Sequence, residues 1–108
     1  MGVTAKICGL STEEAVTAAS AGGAAYVGFV FYPPSPRAVT PQRAAELCAR
    51  VPARIARVGL FVDAEDRTIE AVRISRAAAV DVSSGIESRL GVKDLDKIRA
   101  FLAAAGTL

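Results

Sequence analysis

Histidine is absent from these 108 residues. That absence removes Ser–His nucleophile pairs, His-ligated zinc and imidazole proton transfer together. Any proton relay must draw on Cys, Asp, Glu, Lys or Tyr. Cysteine is scarce: Cys8 and Cys48 form neither a disulfide framework nor a metal-ligand spacing, and they fit a reducing cytoplasm. Long apolar runs are lacking too. The longest, AGGAAYVGFVF, is broken by glycines and runs into prolines, so it reads as interior rather than as a membrane span. The opening MGVTAK has Lys6 where a myristoylation signal needs Ser or Thr, and no basic-then-apolar secretory segment follows. No single sign of charge dominates. The 13 basic and 11 acidic residues leave a net +2, spread as a mixed solvated surface without the basic face that nucleic acid requires. At 52% hydrophobic and 22% charged, the chain reads as one globular domain over residues 1–108.

What is present is an alternation of apolar strands and amphipathic helices. Residues 5–8 (AKIC) form a first strand, after which Ser11 and Glu14 have capping-box spacing and open a helix that runs to about Gly22. Residues 24–31 (AAYVGFVF) form a second strand. Pro33, Pro34 and Pro36 then impose an irregular loop, because each lacks an amide donor and holds its predecessor extended. Thr40 and Pro41 restart a helix as cap and first position, with Ala44, Ala45, Leu47 and Cys48 as its apolar stripe. A third strand runs from Ile55 to Val62, and Asp63 caps a helix carrying Ile69, Val72 and Ile74. A fourth strand, AAVDVS, ends in SSG. A loop through Gly91 leads to a last helix with Leu95, Ile98 and Leu102 at helical spacing and Gly106 as its stop. Four strand–helix units of this kind predict an α/β fold with a parallel sheet whose strands are buried on both faces.

In parallel α/β folds the chemistry gathers at the carboxyl ends of the strands. Here those ends lie in KICGLSTEEA, GFVFYPPSPRAVTP, RVGLFVD and VDVSSGIESRLGVKDLDKIRAF. Together these stretches resemble phosphoribosylanthranilate isomerase of tryptophan biosynthesis, in the family's own order and over nearly the whole chain. The resemblance implies an eight-unit (β/α) barrel, which needs roughly 200 residues or more. The first three stretches resemble units one to three and the last resembles unit eight, with the seam near ISRAAAVD. The chain therefore reads as a truncated TIM barrel. Because strand eight of a closed barrel neighbours strand one, the expected spatial order is 4-1-2-3. A flavodoxin-like arrangement follows if a helix covers the former barrel interior. If none does, the expectation is a half-barrel whose exposed inner face self-associates.

The resemblance implies an Amadori rearrangement, which needs a base and an acid on opposite sides of the ribose. Cys8 matches the general base, and a helix folded over it would leave it packed core, slow to react. Arg37 matches the residue that holds the anthranilate carboxylate, a task suited to a planar five-donor fork. Asp81 matches a residue near the anthranilate nitrogen. Ser83, Ser84 and Gly85 match half of a phosphate site. Lys6 reads as barrel-interior structure. Each has an ordinary alternative: Cys8 as core filler, Arg37 as a surface ion-pair partner, Asp81 as a turn cap and SSG as a strand-to-helix turn. The family's general acid, at the end of its fifth strand, and the glycine-rich half of its phosphate site have no counterpart in this chain. The expected function is a stable but catalytically inactive subdomain, the alternatives being residual isomerase activity or a weak module for a small phosphorylated ligand. No cofactor, metal, nucleic acid or membrane is expected.

Overall fold

The structure, a computed structural model, describes residues 2–62 and 66–108, with the backbone alone for 66–69 and Ser84. In chain order the elements are β1 (Lys6–Ile7), α1 (Glu13–Ala21), β2 (Tyr26–Val30), α2 (Pro41–Cys48), β3 (Ala56–Phe61), α3 (Asp66–Ser75) and β4 (Ala79–Val82). A 3-10 turn at Ser84–Ile86 follows, then a small antiparallel pair, β5 (Glu87–Arg89) and β6 (Val92–Lys93), and finally α4 (Leu95–Ala105). The expected cap of α3, Asp63, lies outside the described residues.

The caps explain most boundaries. Thr40 accepts from the Arg43 amide at 3.1 Å and Pro41 opens α2, as expected. At α1 the expectation of Ser11 is corrected: Thr12 is the cap, accepting from the Ala15 amide at 3.2 Å, and Gly22 closes the helix. Asp94 accepts from the amides of Asp96 and Lys97 to start α4, and Gly106 ends it. The segment around Gly91, read as a plain loop, is instead the β5–β6 hairpin, with Gly91 at φ +79°.

All four main strands are parallel, but the expected order 4-1-2-3 is wrong: the observed order is β1-β2-β3-β4. The link explains why. α3 ends at Ser75 and β4 starts at Ala79. Those few residues span about 13 Å at full stretch, whereas the slot outside β1 lies about 14 Å beyond β3 across the sheet. α3 also packs on α2, which fixes it over the β3 side. A short right-handed crossover can then reach only the slot beside β3. This is the winding of a half-barrel, not of a flavodoxin-like sheet, and it is not closed.

The main core lies between the sheet and the first two helices, where Val27 and Phe29 pack with Val16, Ala19, Ala44, Leu47, Cys48 and Ile55. Arg57 of β3 points to this side too. Its guanidinium donates to the carbonyls of Val51 (2.7 Å), Cys48 (two bonds of 3.3 Å) and Ile55 (3.5 Å), adding at Cys48 to the bond that carbonyl already accepts from the Val51 amide at 3.0 Å. α4 departs from its expected stripe. It buries Phe101, while Leu95 and Leu102 stay 65% and 63% exposed.

Candidate functional site

Side chains alternate along a strand, so the face opposite Val27 and Phe29 carries Lys6, Cys8, Gly28, Leu60 and Asp81. Gly28 marks where they meet. A Cβ there would stand 2.6 Å from Leu60 Cδ1 and 3.3 Å from both Cys8 Sγ and Lys6 Cε. The space without a side chain is the path by which Lys6 crosses the sheet. Its Nζ reaches Asp81 Oδ2 at 2.5 Å, joining the two edge strands β1 and β4. Three flat strand spacings would separate those strands by about 14 Å. A lysine and an aspartate can join only if the sheet curls toward them, as a barrel wall does.

Cys8 follows β1 and is exposed, which corrects the expectation that a covering helix buries it. The chain turns directly after it. Gly9 adopts φ +76°, and the amides of Gly9 and Leu10 both donate to the Gly28 carbonyl at 3.0 and 3.1 Å, fixing the thiol at the carboxyl end of the sheet. The proline-rich loop after β2 folds back through the Val30–Ala38 bridge and a bond from the Arg37 amide to Ser35 Oγ at 3.2 Å. This lays the Arg37 stem on Gly9: a Cβ at Gly9 would meet Arg37 Cδ and Nε at 2.7 and 2.8 Å. Gly9 is thus required twice, for its left-handed backbone and for this approach. The Arg37 guanidinium has no hydrogen-bond partner among the described residues and stands beside the turn that follows Cys8.

Asp81 is the only carboxylate in the four main strands, and Lys6 engages it. Ser83 is exposed at the end of β4, where its carbonyl and hydroxyl accept from Lys93 Nζ at 2.7 and 3.5 Å. Lys93 also contacts Glu87 at 3.3 Å. Ser84 and Gly85 lie in the single 3-10 turn that follows. The fold therefore brings Cys8 and Arg37 together and joins Asp81 to Lys6, while Ser83, Ser84 and Gly85 stand at the end of the far edge strand. Sequence reading missed Lys93, whose position depends on the β5–β6 hairpin, and the engagement of Lys6, whose only signal was its shared strand face with Cys8. A cleft of about 680 Å³ is lined by Phe31, Tyr32, Val39, Phe61 and Ile74 among others, and includes neither Cys8, Arg37 nor Asp81. No group of residues able to hold a metal occurs among the described residues, and none of their helices is long and apolar enough to cross a membrane.

Comparison with known proteins identifies the family. The family model for N-(5'phosphoribosyl)anthranilate (PRA) isomerase matches residues 5–75 and 66–104. The enzyme of that name from Rhodospirillum centenum is 42% identical over 128 positions, covering the whole of this chain and 60% of the relative. The one from Paracoccus denitrificans is 56% identical over 72 positions, 67% of this chain and 34% of the relative. The one from Paramagnetospirillum magneticum is 31% identical across 210 positions, covering 97% and 98%, a span so much longer than 108 residues that the match bridges a large gap. The chain thus spans only about a third to three-fifths of the length of two of these three relatives. Among solved structures, phosphoribosyl anthranilate isomerase from Thermus thermophilus is similar with a TM-score of 0.65 at 18% identity, covering 97% of this chain and 99% of that one. The Thermotoga maritima protein gives 0.57 at 22%, covering 99% and 100%. The chain belongs to the N-(5'-phosphoribosyl)anthranilate isomerase family as a shortened, open form of its barrel.

Proposed function

We propose that this chain is a half-barrel of the isomerase family that keeps the thiol and carboxylate-binding side of the site but does not turn substrate over at a useful rate. The observation that carries this reading is the commitment of Asp81 to Lys6. The rearrangement needs a base and an acid on opposite sides of the sugar. Cys8 can serve as the base and Arg37 can take the anthranilate carboxylate, yet no second carboxylate from these strands stands opposite the thiol. A positioned acid is worth roughly 10²- to 10⁴-fold, or about 3–5 kcal/mol of barrier. The face around Cys8 is also open to water, which weakens every electrostatic contribution a closed site would make. Ser83, Ser84, Gly85 and Lys93 offer at most a weak site for the phosphate of a small ligand.

The test is turnover of N-(5'-phosphoribosyl)anthranilate by purified protein beside a Cys8→Ala control, together with rescue of cells lacking the isomerase. The expected result is no rescue and no turnover above the control. Turnover that the control abolishes, or rescue, would show that Asp81 leaves Lys6 and acts as the acid.

A further inference from the structure

We propose that a second copy of this chain closes the barrel, with β4 of each copy pairing in parallel with β1 of the other. Both edges of the sheet are open and of matching kind. The Ala5 carbonyl and the Gly9 amide bond toward β2, so the N–H and C=O of Lys6 and Cys8 point away from the sheet. On the far edge the Ala78 amide donates to the Arg57 carbonyl at 2.9 Å, which by the same alternation turns the groups of Ala79 and Asp81 outward. Each edge thus offers a short ladder of two residues, and neither has a backbone partner among the described residues.

The side chains at the two edges are complementary. β1 carries Lys6 and β4 carries Asp81, so pairing β4 with the second copy's β1 sets carboxylate beside ammonium. The ion pair each chain makes across its own open face would then be exchanged between copies. On the helix side of β1, Ile7 is 42% exposed, and beyond β4 the α4 helix presents Leu95 and Leu102, seven residues apart on one stripe. One edge offers a half-exposed apolar strand residue and the other two largely exposed helix residues, Leu102 lying beside a cleft that it lines with Val58, Val80 and Phe101. Two copies related by a two-fold axis along the barrel give eight parallel strands, the number that closes such a barrel, and leave no free edge. This inference rests on the edges and not on the catalytic reading, so either can fail alone.

The experiment is light scattering with sedimentation velocity from micromolar to near-millimolar protein, together with the rate at which a thiol reagent modifies Cys8. The expected result is a rise from 11.1 kDa to twice that mass and no further. Cys8 should become slower to react as the dimer forms, because its side chain then faces the closed interior. Leu102→Glu, at a position exposed in the single chain, should leave the circular dichroism spectrum and urea midpoint unchanged while weakening the dimer at least about tenfold. A mass of 11.1 kDa throughout, growth past the dimer, or a dimer indifferent to Leu102→Glu with Cys8 equally reactive would each overturn the proposal.

Discussion

Replacing Arg57 with methionine tests how this open sheet is held to its helices. Methionine keeps a long apolar stem and removes the fork that donates to Val51 at 2.7 Å, to Cys48 at 3.3 Å twice and to Ile55 at 3.5 Å. The Ile55 bond is at the limit of useful geometry and adds little. The two bonds to one Cys48 carbonyl count as about one, and the Val51 bond counts in full. Charge-assisted bonds of this kind are worth roughly 1.5–3 kcal/mol each before water replaces them. Arg57 is partly buried, so water can reach some of the abandoned carbonyls, and the expected loss is about 2–4 kcal/mol. With a urea slope of about 1–2 kcal/mol per molar for a domain this small, the midpoint should fall by roughly 1–4 M. Arg57→Lys, which keeps the charge but loses the fork, should recover part of the loss. Because Arg57 lies on the helix side of β3, the reactivity of Cys8 toward a thiol reagent should not change. A loss below about 0.5 kcal/mol would mean that the carbonyls are as well served by water as by the guanidinium.

Two further outcomes follow from the same contacts. In a double-mutant cycle, Lys6→Met and Asp81→Asn should show a coupling of about 1 kcal/mol that shrinks in high salt, since the two side chains are 28% and 43% exposed; a coupling of zero would mean that the pair does not hold the curl of the sheet. Burial raises the Cys48 thiol above its usual range and Arg57 lowers it in part, so the unfolded chain ionises first. Stability should hold below the usual thiol value of about 8.5 and fall as pH rises from there toward the folded value. Urea midpoints across that window should flatten in Cys48→Ala, and an unchanged slope would assign the alkaline loss to another group.

The strands and helices were legible because their signals are local. Thr40 with Pro41 defines a helix start within two residues, and the unbroken apolar run AAYVGFVF marks a buried strand. Strand order is not local. It depended on how far the chain can travel between Ser75 and Ala79, and reasoning from the closed barrel placed β4 beside β1 when the short link allowed only β3. Arg57 was hidden for a related reason: inside ARVGLF it looks like an interruption, and its partners are carbonyls that no sequence displays. Leu95 and Leu102 have the spacing of a buried stripe, but spacing cannot say whether anything stands opposite. In the candidate site, the Cys8–Gly9 turn was readable from two adjacent residues. The approach of Arg37 to Gly9 required the loop to fold back.

The displaced order also changes what the retained residues can do. By resemblance Asp81 belongs to unit eight, whose strand would stand next to Cys8 and Lys6 in a closed barrel. In this chain β4 is three strands away from β1, and only the long stem of Lys6, passing over the bare Gly28, reconnects them. Asp81, by resemblance a residue near the anthranilate nitrogen, is here the far end of a tie across the sheet. Cys8 keeps its turn and its neighbour Arg37 because both depend on β1, β2 and the loop between β2 and α2, where strand order is unaltered. Groups placed by adjacent units therefore keep their positions without the middle of the barrel, whereas contacts between facing walls do not, unless a second copy supplies the other wall.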